Sequence, residues 1–328
     1  MLYFLYMVRT TIGVLRGGTS SEYDLSLKTG AAILAALPEE KYDMRDIFVD
    51  KRGYWNTRGV PVDPARALSQ MDVIVNALHG GVGEDGSVQR ILERAGVPYT
   101  GARPIAVHQS LNKIRMHEIL KNANVRMPHT VAFTLHDALS TGEMTEIVFA
   151  EMGPPYLVKP ASEGASHGIA FAATIADLPD VLGDVLDSFG AAIVQQYMRG
   201  REAAVGVIES FRNEDTYTLP PAEVITPGGA RFVERAHYTN ASLQHEVPST
   251  FTANEKKELM ALASLAHHAL GLSHFSIADF IVTPHAVFLL EVNAIPALYP
   301  GAVFPQMLES VGSSVDEFIE HSIGLARA

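Results

Sequence analysis

The spacing of apolar residues changes character twice along the chain. Up to about residue 100, strand and helix signals alternate. Thr11–Leu15 is a short β-branched and apolar run ending in Gly17 and Gly18. A helical stretch carrying Leu25, Leu27, Ile33, Leu34 and Leu37 then stops at Pro38. Asp72–Leu78 is almost continuously apolar, the pattern of a parallel strand buried on both faces. It runs into a loop of alternating glycines, His79 to Gly86, followed by a helix over Ser87–Ala95 that Gly96 terminates. This alternation predicts a small open α/β sheet with helices on both faces.

Around residue 104 the pattern shifts. Leu111–Lys121 reads as an amphipathic helix, and Pro155–Lys159 as a strand closed by Pro160. The glycine-bearing loop Ala161–Gly168 leads to a strand over Ile169–Ala173 and a helix near Leu178–Phe189. After residue 190 strands dominate: Ala192–Met198, Ala203–Glu209, Tyr217–Ile225, Phe275–Val282 and Val287–Asn293. A helix over Glu255–Leu270, with Thr252 or Asn254 as its expected cap, interrupts them. The stretch Thr226–Thr252 has no clear period and is too long for a passive connection, which predicts a mobile functional loop.

Composition narrows the choice of partner. The 328 residues are enough for two or three cores, and 47% hydrophobic with 19% charged residues is ordinary for a globular protein. A net charge of −12 argues against a nucleic-acid partner, which needs basic surface to displace counterions. There is no cysteine, so disulfides and thiolate metal sites are excluded and a cytoplasmic setting is expected. The apolar start, Met1 to Val8, is too short to span a bilayer and lacks the features of a secretory signal, so no membrane partner is expected.

The most informative motif is Phe288-Leu289-Leu290-Glu291-Val292-Asn293. Residues two apart on a strand share a face, so Glu291 and Asn293 project together. Asp279 lies on the preceding strand, flanked by apolar residues. Three oxygen-bearing side chains on neighbouring strands suit magnesium, a hard cation that prefers carboxylates, water and phosphate oxygens. The rival reading is a strand pair whose polar residues face water, but Leu289, Leu290 and Phe280 speak for a buried sheet. Lys159 ends an apolar strand before a loop holding Glu163, Gly164, Ser166 and Gly168, where backbone N–H groups can turn toward an anion. Lys113 alone would pass for a solvated helix residue. His79 with its glycines would pass for a strand-end turn, and Val82 to Gly86 for ordinary turn chemistry capping a helix.

In this order the pieces resemble the D-alanine–D-alanine ligase family of the ATP-grasp superfamily. The resemblance runs from about Thr11 to the C-terminal helix and is strongest over 13–37, 77–102, 155–168 and 288–296. It implies an α/β ATP-grasp fold of three domains. These are a Rossmann-like domain over 1–103, a central α+β subdomain over 104–194 and a C-terminal α+β domain over 195–328, with its mobile loop near 226–252. It further implies ATP and two magnesium ions (manganese as an alternative), amino acid substrates and a homodimer. Carried across, Asp279, Glu291 and Asn293 are the metal ligands. Lys113, Lys159 and the loop with Glu163, Gly164, Ala165 and Ser166 meet the phosphates. Gln195, Gln196, Tyr197 and Met198 meet adenine, and Glu202 the ribose. His237, beside the loop tyrosine, falls in the nucleotide set. Glu22, His79, Ser166 and Tyr238 are implied as catalytic groups around the amino acids.

The reaction so implied is the joining of two D-alanines through an acyl phosphate, for peptidoglycan precursor synthesis. Several positions depart from the family pattern. Ile277 stands where an arginine serving the acceptor carboxylate is expected, and Ala165 where a serine would link Glu22 to Tyr238. His237 replaces a lysine and Gln195 a glutamate, and the family's Ser-Pro-Gly and following serine appear as Ile295-Pro296-Ala297 and Ala302. Arg16 offers a replacement charge near the donor, against the alternative of a surface arginine. Two further readings follow: a related ligase with a different acceptor, or a non-catalytic nucleotide-binding homologue. An ATP-grasp enzyme making a thioester fits the whole-chain resemblance less well.

Overall fold

The computed structural model describes residues 9–226, 232–234, 237 and 243–328. The first layer is built from β1 (Thr10–Gly17), α1 (Tyr23–Ala36), β2 (Tyr42–Val49), β3 (Trp55–Thr57), β4 (Val60–Pro61), α2 (Pro64–Leu68), β5 (Val73–Asn76) and α3 (Ser87–Ala95). Its sheet has the order β4-β3-β2-β1-β5, with β1 parallel to both β2 and β5. Ile12, Val14, Val73 and Val75 face one core, and Leu15, Ile47, Ile74 and Leu78 the other. That double burial is why β5 reads as an unbroken apolar run.

The second layer comprises α4 (Pro104–Leu111), α5 (Lys113–Asn122), β6 (Thr130–Thr134), α6 (Thr141–Glu151), β7 (Tyr156–Pro160), β8 (Ala170–Ala172), α7 (Leu178–Phe189) and β9 (Ala191–Gln196). The expected helix from Leu111 is in fact two. Asn112 breaks them, its side chain accepting from the Arg115 N–H at 3.1 Å and capping α5. The four strands run in the order β6-β9-β7-β8, all antiparallel, over a core that includes Tyr156, Val158, Leu182 and Val194.

The third layer holds β10 (Arg201–Glu209), β11 (Thr216–Thr218), β12 (Ala222–Ile225), β13 (Gln244–Glu246), α8 (Ala253–Ala269), β14 (Phe275–Val282), β15 (Val287–Asn293), α9 (Val303–Ser310) and α10 (Val315–Arg327). Its sheet runs β13-β12-β10-β14-β15, with β11 also paired to β10. Ala203, Val205 and Val207 point toward α8, and Ala204 and Ile208 toward α9. Pro220 and Pro221 split the single strand expected over Tyr217–Ile225 into β11 and β12, because proline cannot donate to the ladder. Thr252, with Glu255, forms the capping box that starts α8. Part of the stretch expected as loop, Gln244–Glu246, is the edge strand β13, and Phe251 is buried in the core beneath α8. Tyr238 and much of the remaining stretch lie outside the described residues. The C-terminal helix α10 returns to the first layer, placing Phe318, Ile319 and Ile323 against Ile12, Val14 and Ile33.

Candidate active site

The pairing of β14 with β15 sets Asp279 directly opposite Glu291, and Ile277 opposite Asn293. A bulge follows at once, since Phe280 pairs with Leu289 and leaves Leu290 as the extra residue. Leu289 and Phe280 are fully buried, as the apolar pattern requires. Asn293 Nδ2 donates to Asp279 Oδ2 at 3.3 Å. Burial pushes the Asp279 carboxyl well above its usual range; Glu291 and Glu202 add to this and Lys159 opposes it. Burial also acts to raise Glu291, but Lys113 and Lys159 outweigh it and hold that carboxyl low.

Both lysines are 6% exposed, so neither is the solvated residue its sequence context alone would suggest. Lys113 opens α5, its Nζ 2.6 Å from the Glu163 carbonyl and 3.5 Å from Glu291 Oε2. Lys159 ends β7; burial draws its ammonium down to about 8, against the pull of Glu291, Glu202 and Asp279. Two buried cations over two opposed carboxylates form a site suited to a phosphate and a cation together.

The loop after β7 is held in an unusual backbone. Ala165 and Ser166 both have positive φ, +45° and +54°, where a side chain costs about 1–3 kcal/mol each. Ser166 Oγ donates to the Val233 carbonyl at 2.6 Å, and His167 Nδ1 lies 2.9 Å from Glu163 Oε2. Gly164 abuts the first layer, because a Cβ there would lie 2.2 Å from Glu22 Oε1. A side chain there would have to displace the Glu22 carboxylate.

Two cavities meet at this point. One, about 360 Å³, is lined by Lys113, Lys159, Glu163, Ser166, Gln195, Gln196, Tyr197, Met198 and Glu202. The other, about 640 Å³, is lined by Glu22, His79, Glu84, Ala165, His237, Ile277, Asn293, Ala297 and Ala302 among others. Asp279 and Glu291 line both. The expected nucleotide residues thus gather in the first cavity, except that Ala165 and His237 face the second and Gly164 packs on Glu22. Gln195 is buried, with Nε2 3.3 Å from Thr130 Oγ1. Burial raises the Glu202 carboxyl, opposed by a backbone hydrogen bond from Val233 and by Lys159.

In the second cavity, His79 Nε2 pairs with Thr29 Oγ1 at 2.8 Å, and Ser20 Oγ donates to the His79 carbonyl at 2.5 Å. Burial lowers the imidazole to about 4, against a backbone hydrogen bond at Ile295, so it is neutral at pH 7. Glu22 is pushed up to about 8 by burial, then by Glu84 and Glu291. Glu84 is the residue that sequence reasoning missed. It reads as turn chemistry, yet it is buried and accepts from the Gly80 N–H at 2.7 Å. Burial lifts its carboxyl to about 7, opposed by backbone hydrogen bonds at Gly80 and Ile295. An acid between glycines after a buried strand is the one signal the sequence offers for it. Arg16 lines neither cavity and pairs bidentately with Asp46, at 2.8 and 2.7 Å.

Comparison with known proteins agrees with this layout. The family model described as D-ala D-ala ligase C-terminus matches residues 119–324, and that described as D-ala D-ala ligase N-terminus matches 56–102. The chain belongs to the D-alanine–D-alanine ligase family. Within this family it is 32% identical over 324 residues to the D-alanine–D-alanine ligase of Desulforudis audaxviator, covering 98% of this chain and 99% of that one. The solved D-alanyl-alanine synthetase A of Vibrio cholerae superposes with a TM-score of 0.85 at 25% identity, over 98% and 99% of the two chains. The VanG D-Ala:D-Ser ligase of Enterococcus faecalis gives 0.84 at 25%, over 97% and 100%. The fold is therefore the ATP-grasp fold and the class that of ATP-dependent ligases. Among the described residues no helix is long and apolar enough to cross a membrane.

Proposed function

We propose that this ligase joins D-alanine to a second D-amino acid, D-alanine by default, through an acyl phosphate, supplying peptidoglycan precursors. The observation that carries this is the shared wall: Asp279 and Glu291 face both a nucleotide-sized cavity and a second, larger cavity that holds Glu22, His79 and Glu84. Such a wall lets a phosphoryl group pass from ATP on one side to a carboxylate on the other.

ATP is a substrate here. Lys113 and Lys159 would bind its phosphates, and Gln195 to Met198 with Glu202 its nucleoside. Asp279, Glu291 and the Asn293 carbonyl offer an all-oxygen donor set, and two opposed carboxylates are relieved by a divalent cation, so these residues fit magnesium. Bound there, the metal would neutralise phosphate oxygens during transfer. The donor carboxylate takes the γ-phosphoryl group and ADP leaves; the acceptor amine then attacks the carbonyl carbon and phosphate departs. Glu22 and Glu84 hold the donor's ammonium. Neutral His79, fixed by Thr29, orients the donor without placing a positive charge beside its amine. The loop at 163–168, packed on Glu22, keeps water from the acyl phosphate.

A different acceptor is favoured by one observation. Ile277, 7% exposed and paired in the sheet with Gly206 and Asn293, presents an alkyl group to the second cavity. An acceptor less dependent on a cation for its carboxylate suits that wall. Phosphate release from ATP with magnesium across D-alanine, other D-amino acids, L-amino acids and D-hydroxy acids tests the reading. Release stimulated by D-alanine supports it; no stimulation by any amino acid overturns it.

A further inference from the structure

The strand β10 carries Glu202 into the nucleotide cavity at one end and Glu209 at the other, about 23 Å away at strand rise. Around Glu209 the last turn of α8 brings two histidines, one buried and one exposed. We propose that Glu209, His267 and His268 form a second metal site, selective for a divalent transition ion such as zinc and separate from the ligation centre.

Three observations carry this. One candidate ligand atom from each of the three side chains lies within 4.8 Å of the others. His267 is fully buried, and its Nε2 has no hydrogen-bond partner although it sits 3.5 Å from Glu209 Oε1. The buried nitrogen thus faces the carboxylate at ion-pair distance without forming a hydrogen bond, a gap that a shared cation would fill. The spacing has the right scale, because zinc–nitrogen and zinc–oxygen bonds of about 2.0–2.2 Å set tetrahedral neighbours about 3.4 Å apart.

The surrounding groups orient the ligands as metal sites require. His267 Nδ1 lies 2.8 Å from Ser276 Oγ, which fixes the ring and directs Nε2 toward the carboxylate. Glu209 Oε2 accepts from the His274 N–H at 2.6 Å, leaving Oε1 toward His267. His268 pairs with Thr216 Oγ1 at 2.9 Å and, being exposed, can close the remaining gap by rotating its ring. Imidazole and carboxylate together select zinc, nickel or copper over magnesium. The ion would tie the end of α8 to β10, on the strand pair that also bears Asp279.

The test uses full-length protein stripped with a chelator, then dialysed into saturating magnesium to fill the oxygen site. Zinc chloride alone is titrated calorimetrically, and bound metal is counted after equilibrium dialysis. One zinc per chain is expected, with a rise in melting temperature. His268→Ala, at an exposed position, should lose that equivalent while keeping the zinc-free melting temperature. Glu209→Gln should behave alike; if it folds poorly, the result with His268→Ala decides. Cobalt in place of zinc should give visible absorption of tetrahedral type that the variant lacks. No zinc bound by the native protein would overturn the site, leaving a plain imidazole–carboxylate contact. Equal binding by His268→Ala would overturn it too.

Discussion

The two cavities that share Asp279 and Glu291 differ in what fills them. The smaller holds buried lysines, carboxylates and the segment at 195–198, and nine of the twelve residues expected to meet a nucleotide line it. The larger has Glu22 and His79 in its lining, but presents Ile277, Ala165, Ile295 and Ala302 where polar side chains are expected. Phosphoryl transfer has one charge problem, and its solution tolerates little change. Recognition of an acceptor has many solutions, so that side tolerates more change.

On this contrast, damage to the shared wall should have the largest effect. Glu291→Gln or Asp279→Asn should reduce phosphate release by about 1,000-fold or more, the scale of a lost electrostatic contact in a transition state. Asp279→Asn should leave the ligand-free melting temperature unchanged or higher, since it removes a carboxyl whose ionisation burial and Glu291 oppose. Near-native turnover in both variants would sink the assignment of the wall.

The next effect is smaller. Lys159→Met should weaken ATP binding by about 2 kcal/mol, roughly 30-fold, measured calorimetrically. Because burial sets the free ammonium near 8, native ATP affinity should decline above that pH, and binding there should take up a proton. Affinity independent of pH between 7 and about 9.5 would place the charge elsewhere.

On the donor side, Glu22 keeps its proton to about pH 8 when folded against 4.5 as its ordinary value. The folded state therefore binds more protons across that window, and the stability this gives is lost as pH rises through about 8. His79 works oppositely between about 4 and 6.5, its contribution being lost as pH falls. From pH 6.5 to 8 the ligand-free melting temperature should therefore fall, and Glu22→Gln should flatten the slope. A native profile already flat over that range would contradict the buried acid pair.

The smallest effect concerns the acceptor. Ile277→Arg should lower the KM for a second D-alanine by about tenfold with kcat little changed, the pattern of ground-state binding regained. Ala165→Ser should add to it. A stable Ile277→Arg enzyme with unaltered KM would show that another group serves the carboxylate. That group is not Arg16, which Asp46 already holds.

Much of this was legible in the sequence because period and burial agree there. β14, β15 and α7 fall where the apolar pattern puts them, and the Asp279, Glu291 and Asn293 triad follows from side-chain alternation and one cross-strand register. β2 escaped because Tyr42–Val49 is mostly half-buried and carries Asp43, Arg45 and Asp46, so its pattern is not clean. The burial of Lys113 and the role of Glu84 were not legible, since both depend on tertiary packing: Lys113 on the Glu163 carbonyl, Glu84 on Gly80. Nothing local marks a charged side chain that such packing will enclose.

The central claim is that a phosphoryl group crosses the Asp279–Glu291 wall onto the donor's carboxylate. D-alanine labelled with oxygen-18 in its carboxyl group, incubated with the enzyme, ATP, magnesium and an accepted second amino acid, tests it directly. The phosphate released should carry one labelled oxygen per ligation, because the oxygen bridging carbon and phosphorus leaves with phosphorus. Dipeptide formed alongside phosphate wholly free of label would contradict the account.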